Sequence, residues 1–274
     1  MRITMKRTIL LFGIFLLVSV SVQVSAQKGV RNIKEAPVSS LMFEATYALQ
    51  FPALDTKTIY GFNSTIGGSV DYKTDENWLF KLNGNFIFGN KLKGDRQQIL
   101  GEGITTEHGE LIGSDGMLSR LAISQRGFHF QGEMGKMFPF KPNPNSGFYV
   151  LGGVGYLLNR TRIEDQFTSA YPILEDYRLG YDRMRGGFAC HGEAGYMVMS
   201  NSRILNFSIA LEVTYAKTRD LRDYDFRVFF DEHGVPHPVG RTDPDKRYND
   251  MYFGIRLGWM IPTYQRQPDQ YYYN

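Results

Sequence analysis

The chain of 274 residues carries 31 Lys+Arg against 28 Asp+Glu and is rich in Gly (29), Phe (20) and Tyr (17). Three of its basic residues, Arg2, Lys6 and Arg7, sit at the N-terminus; the remainder is electrically neutral, which gives no basic surface for nucleic acid. The single cysteine, Cys190, excludes an internal disulfide and a cysteine-built zinc cage, and no stretch of 18 apolar residues is present to form a membrane helix.

Arg2, Lys6 and Arg7 precede an apolar run over 9–18 and the small residues Val24, Ser25 and Ala26. This order reads as a secretory signal peptide over residues 1–26, cleaved after Ala26. The run is too short for the roughly 20 residues of a spanning helix. Residues 27–40 are polar and mixed, and are expected to form a loose periplasmic lead-in.

From residue 41 the pattern has a period of two rather than 3.6, the mark of strands. The first strand, 41–50, sets Leu41, Phe43, Ala45, Tyr47 and Leu49 against Glu44, Thr46 and Gln50. The second, 58–72, sets Tyr60, Phe62, Ile66, Val70 and Tyr72 against Asn63, Thr65, Gly67, Ser69 and Asp71. The third, 78–89, sets Trp78, Phe80, Leu82, Phe86 and Phe88 against Lys81, Asn83 and Asn85. The fourth lies within 118–138, where the alternation changes phase near Arg126, so a β-bulge is expected at Gly127. Beyond it Phe128, Phe130 and Met134 oppose His129, Gln131 and Glu133. The prolines and asparagines of 139–147 spell a turn.

The fifth strand, 148–161, carries Phe148, Val150, Val154, Tyr156 and Leu158 on one face, with Gly153 and Gly155 on the other. The sixth, 183–199, sets Phe188, Cys190, Tyr196 and Val198 against Ala189, His191, Glu193 and Gly195. The seventh, 204–217, sets Leu205, Phe207, Ile209, Leu211, Val213 and Tyr215 against Asn206, Ser208, Glu212 and Thr214. The eighth, 250–262, sets Met251, Phe253, Ile255, Leu257, Trp259 and Ile261 against Tyr252, Gly254, Arg256, Gly258 and Met260.

In each strand the bulky apolar row faces a row of glycines, polar groups and charges. A soluble sandwich or lipocalin-like barrel would turn its bulk inward. Here the inversion points to an all-β, eight-stranded, antiparallel transmembrane (outer-membrane) up-and-down β-barrel over 41–263. The second, fourth and sixth connections are short turns, whereas the third, fifth and seventh are long outside loops. An even strand number leaves both termini in the periplasm, with 264–274 as a periplasmic tail. Phe207, Leu211, Phe253, Leu257 and Trp259 are expected to face lipid, and Trp78, Tyr196, Tyr215, Trp259 and Tyr264 to form interfacial girdles.

By the same parity Glu44, Lys81, His129, Glu133, His191, Glu193, Glu212 and Arg256 point into the lumen. An eight-stranded barrel is just wide enough to be filled by side chains, and isolated charges there are costly, so an ion-pair network is expected. Two alternatives stay open. The row could line a narrow pore. His129 with Glu133, or His191 with Glu193, could instead be a base and its orienting carboxylate in a membrane-embedded hydrolase, with Ser124 or Ser208 as nucleophile. In the last long loop His233 and His237 stand beside Asp231 and Glu232, but prolines and a glycine deny them helical spacing, and a solvated loop is the better reading. No catalytic residue, cofactor or metal is expected.

The stretches LIGSDGMLSRLAISQRGFHFQGEMGKMFP, NPNSGFYVLGGVGYL and GYDRMRGGFACHGEAGYMVMSNSRILNFSIALEVTYAKT resemble an outer-membrane β-barrel family of bacteria that carry a type IX secretion system. The similarity spans about 111–225 and the closing strand, and GYDRMRGGF followed by SNSRILNF is its most specific part. The resemblance implies an outer-membrane barrel that is an accessory to secretion or barrel biogenesis, and it brings no catalytic residue. The partners expected are outer-membrane lipids and other outer-membrane or periplasmic proteins. The tail residues Tyr264, Tyr271, Tyr272 and Tyr273 are the candidate docking anchor, because they follow a complete closing strand.

Overall fold

The period-two alternation builds eight long strands: β1 (Ser40–Ala53), β2 (Asn63–Lys73), β3 (Trp78–Gly89), β4 (Leu121–Phe140), β5 (Asn143–Asp165), β6 (Met184–Val198), β7 (Phe207–Asp220) and β8 (Tyr248–Pro262). The computed structural model describes residues 33–165, 170–201 and 204–263. The segment 1–26 and the tail with Tyr264, Tyr271, Tyr272 and Tyr273 lie outside the described residues. Each strand pairs antiparallel with its neighbour in sequence, and β8 closes on β1. Closure leaves no strand edge unpaired, the condition for a sheet to cross lipid. No helix among the described residues is long and apolar enough to cross a membrane.

Register fixes which residues share a level of the barrel. A path along paired residues runs from Met42 through Asp71, Lys81, Glu133, Gly153, His191, Thr214 and Tyr252, and returns to β1 at Pro52, ten residues beyond its start. That stagger tilts the strands and gives a lumen that side chains can fill. The residues on this path all face inward.

Outside, the large apolar side chains stand exposed in rows, Phe207, Leu211, Phe253, Leu257 and Trp259 among them. At about 3.4 Å per residue and a tilt of about 40°, the outward row of β8 from Met251 to Ile261 is about 25 Å tall, the height of a bilayer's hydrocarbon band. Trp78, Tyr196 and Trp259 ring the short-turn end. There Lys136 Nζ lies 5.3 Å from the Trp78 ring centre, and Trp259 Nε1 donates to Ile204 O at 2.7 Å.

Inside, the filling is layered. Met42, Leu79, Met137, Met197 and Met260 close the short-turn end, none of them more than 2% exposed. A charged layer follows. Above it Ile87, Leu157, Ala189, Ala216 and Tyr252 form a second apolar plug. At the long-loop end Gln125 donates to Asn159 (3.2 Å) and to the Tyr252 hydroxyl (3.0 Å).

Four local expectations are corrected. First, β4 pairs without a break through Gly127 with both β3 and β5, and its one irregularity falls at Pro139/Phe140. Arg126 faces outward near the long-loop end of the strand, where polarity is tolerated, and this mimics a phase change. Second, the turn between β4 and β5 is only Lys141–Pro142. Residues 143–146 extend β5, with Asn143 Nδ2 donating to Ser146 Oγ and Met199 O. Third, Tyr60 does not lie in β2. A short helix, α1 (Leu54–Ile59), turns the chain, and Tyr60 points inward with its hydroxyl 2.5 Å from Thr161 Oγ1.

Fourth, the described part of the lead-in is tied down. Asn145 Nδ2 donates to Ile33 O (2.5 Å) and Ala36 O (2.8 Å). Its Oδ1 accepts from Val38 N (2.8 Å) and Lys73 Nζ (2.9 Å). One buried amide thus uses both donors and both lone pairs to hold 33–38 against the barrel.

The long loops form an ordered head. α2 (Arg96–Leu100), a short hairpin of Leu111–Ile112 with Leu118–Ser119, and 3₁₀ turns at Tyr171–Ile173 and Glu175–Gly180 surround a core that includes Ile99, Leu100, Ile163, Ile173 and Tyr181. A hairpin of Tyr224–Phe230 with Pro236–Arg241 rises from the last loop. Asp225 at its base accepts from Arg183 and from Arg227 (2.9 Å), while Arg227 donates to Gln98 O at 2.6 Å.

Candidate functional site

The eight charged and imidazole side chains named from the sequence come from six strands, because inward parity and the stagger bring distant residues to one level. Lys81 Nζ (β3) lies 2.9 Å from Glu44 Oε2 (β1) and 3.5 Å from Glu193 Oε1 (β6). Arg256 Nε (β8) lies 2.6 Å from Glu212 Oε2 (β7) and 3.7 Å from Glu193 Oε2. His191 Nε2 stands 3.9 Å from Glu133 Oε2 and 3.9 Å from Glu193 Oε2. His129 packs edge-on against His191 with ring centres 5.8 Å apart. All eight residues named from the sequence as lumen-facing are buried.

Neutral groups complete the layer. Ser208 and Ser69 donate to Glu44 at 2.5 and 3.1 Å. Gln50 donates to Glu212, and Gln131 to Glu133, each at 2.6 Å. Tyr149 donates to Glu193 at 2.5 Å, and Thr214 bonds His191 Nδ1 at 2.9 Å. Tyr149 was not named from the sequence, and Asp71, named on the inward row of the second strand, was not counted in the ion-pair network. Parity alone would have found both, since Tyr149 is two residues from Leu151 on the inward row and Asp71 opposes Lys81.

Inward glycines make the layer possible. A Cβ on Gly153 would sit 2.7 Å from Glu133 Cγ, and one on Gly254 would sit 2.7 Å from Glu212 Oε1. At Gly153 the space is filled by the Gly132 carbonyl oxygen and the Glu133 stem, and at Gly254 by the Glu212 carboxylate. Gly152, on the same strand, faces outward with open space around its Cα.

The arrangement gives little support to hydrolysis. Ser208 is hydrogen-bonded to Glu44, and His191 to Thr214. In the last loop Asp231 caps its own turn, accepting from His233 N (2.9 Å) and Val235 N (2.8 Å), with His237 Nε2 3.2 Å away. These backbone hydrogen bonds, that from Val235 foremost, hold its carboxyl below the usual aspartate range.

A closed, even-stranded antiparallel barrel with an apolar exterior and a polar interior defines a transmembrane β-barrel of the outer-membrane type. Solved structures of similar architecture include the Neisserial surface protein NspA, which is 8% identical, with 81% of this chain and 96% of that one covered at a TM-score of 0.42. Ail of Yersinia pestis, solved with the heparin analogue sucrose octasulfate, is 11% identical over 81% and 99% of the two chains at a TM-score of 0.36. OprG of Pseudomonas aeruginosa is 12% identical over 84% and 99% at 0.34. No family model and no curated protein matches the chain. The assignment to the class therefore rests on the barrel itself.

Proposed function

We propose that the protein is a non-catalytic, non-conducting barrel of the bacterial outer membrane that serves as a structural or accessory subunit of a secretion or biogenesis machine. The observation that carries the reading is the filled lumen. Apolar layers of Met42, Met137 and Met260 at one end and Ile87, Leu157 and Tyr252 at the other enclose the charged layer, so neither an ion nor a substrate has a wet route to it. With the interior committed to packing, the surfaces left for work are the two ends. The head presents Tyr171, Tyr177, Tyr224, Phe226 and Phe230 to the outside, an exposed apolar surface on ordered structure that fits protein contact. The long-loop end is then the cell exterior, and the lead-in and the tail lie in the periplasm.

The test is affinity purification in mild detergent with mass spectrometry, comparing the full chain with a variant whose hairpin tip 231–235 is shortened and with one lacking 265–274. Loss of the same outer-membrane partners from either variant supports the subunit reading, and an unchanged set overturns it. The narrow-pore alternative is decided in planar bilayers, where stepwise single-channel conductance would replace the proposal.

A further inference from the structure

Within the charged layer three atoms converge at distances too long for hydrogen bonds among them. Glu133 on β4 and His191 on β6 are both register partners of Gly153 on β5, so their side chains lean together over a position with no side chain. Glu193 lies two residues from His191 on the same inward row. Each of the three has one atom held by a neighbour: Glu133 Oε1 by Gln131, Glu193 Oε1 by Tyr149, and His191 Nδ1 by Thr214. Each has its other atom, Glu133 Oε2, Glu193 Oε2 and His191 Nε2, buried without a hydrogen-bond partner. The ligand atoms of the three residues lie within 4.8 Å of one another, and the three side chains are 0% exposed.

Hydrogen bonding among the three does not explain the arrangement, because 3.9 Å is too long. Metal coordination does. A cation at the centre of a triangle of this size would lie about 2.3–2.5 Å from each corner, and a closure of a few tenths of an ångström gives zinc's usual distances of about 2.0–2.2 Å. The held atoms are what a metal site requires of its surroundings: the hydrogen bond at Nδ1 orients the imidazole, and those at the two Oε1 atoms orient the carboxylates. Charge argues the same way. Glu44, Asp71, Glu133, Glu193 and Glu212 share this layer with only two permanent cations, Lys81 and Arg256, whose shortest contacts go to Glu44 and Glu212. Arg256 stands 3.7 Å from Glu193 Oε2 and moderates affinity there without filling the site.

We propose that Glu133, His191 and Glu193 bind a divalent cation, Zn²⁺ by their donor set, which clamps β4 to β6 across Gly153 and offsets most of the lumen's excess negative charge. One imidazole nitrogen and two carboxylate oxygens, with no sulfur, suit zinc among the common transition metals. The fourth position falls to water. Because the site is sealed, the ion enters as the barrel closes and exchanges slowly afterwards. The chain's lone cysteine and its loop histidines give no hint of this, since the three ligands come together only across an intervening strand.

The experiment refolds the full chain into detergent with equimolar zinc chloride, washes it with EDTA, and measures retained zinc by mass spectrometry and its surroundings by X-ray absorption. The wild type is expected to keep one zinc per chain with an imidazole in its first coordination sphere, and its urea midpoint should rise relative to protein refolded in EDTA. Glu133→Gln, nearly isosteric, should lose most of the zinc and the midpoint shift while keeping the heat-modifiable gel mobility of a folded barrel. His237→Ala, in the exposed hairpin, should keep both. Zinc retention in folded Glu133→Gln equal to the wild type, or no zinc retained by the wild type, overturns the proposal. If Glu133→Gln does not fold, the wild-type spectrum decides: an imidazole ligand supports the site, and an all-oxygen or sulfur sphere overturns it.

Discussion

Arg256 of β8 and Glu212 of β7 meet in the lumen with Nε 2.6 Å from Oε2, each side chain 1% exposed. The pair sits on adjacent strands where a Cβ at Gly254 would obstruct it. A buried pair of this kind is weak evidence of net stability, but breaking it strands a charge. Arg256→Met is therefore expected to destabilise the barrel by about 3–5 kcal/mol, and Arg256→Met combined with Glu212→Leu to recover much of the loss. Urea unfolding in detergent micelles, followed by tryptophan fluorescence, measures both. A double variant as unstable as the single would show that the arginine acts through Glu193 or through packing instead.

The outward rows make a separate prediction about solvent. Leu211 lies mid-strand on β7, between Ile209 and Val213 on the same outward row. Leu211→Arg should cost about 2–4 kcal/mol in a bilayer. Val239→Arg, on the exposed hairpin of the head, should stay within about 0.5 kcal/mol of the wild type. Folding into lipid vesicles at graded urea separates the two. Equal effects would mean that Leu211 does not face hydrocarbon.

Much of the barrel is legible in the sequence because lipid demands the same thing of every strand. Rows such as Phe207-Ile209-Leu211-Val213 against Ser208-Ala210-Glu212-Thr214 declare strand, face and environment together. What is not legible depends on register or on loops. Gly153 between Glu133 and His191 is invisible until three strands are paired. Arg126 imitates a bulge because a residue near the loop end of a strand escapes the apolar rule. Tyr60 looks like the first outward residue of β2 but belongs to the turn after α1. Much of the anchoring of 33–38 comes from Asn145, in a segment whose prolines and asparagines read only as a turn.

The hairpin tip should respond to acid. Asp231 accepts backbone hydrogen bonds from Val235 and His233 and stands beside His237, which lowers its folded pKa below the ordinary value of 3.8. A depressed carboxyl contributes order that is fully present above the unfolded pKa and is lost as pH falls through the folded one. The tip is therefore expected to stay ordered from neutrality down to about pH 4 and to loosen below it. Amide exchange at Val235 and His233 across this range reports it, and Asp231→Asn should remove most of the acid dependence. Exchange at these amides that does not change as pH falls below about 4 would overturn the assignment to Asp231.

Asn145 carries the fourth prediction. Its amide bonds Ile33 O, Ala36 O, Val38 N and Lys73 Nζ at once, and the asparagine itself is fully buried. Asn145→Ala leaves those groups without the partner, at a local cost of about 1–3 kcal/mol per buried group that water does not reach. The barrel's own strands do not depend on these bonds, so its heat-modifiable mobility should be unchanged. The expected result is a selective rise in hydrogen–deuterium exchange over residues 33–39, with strands β3 and β7 as internal references. Asn145→Asp separates charge from shape: its carboxylate can accept from Val38 and Lys73 but cannot donate to Ile33 and Ala36, so release should be partial. Unchanged exchange in the alanine variant would show that the lead-in is held instead by the burial of Ile33 and Val38 and by their bonds to Asn201 and Lys73.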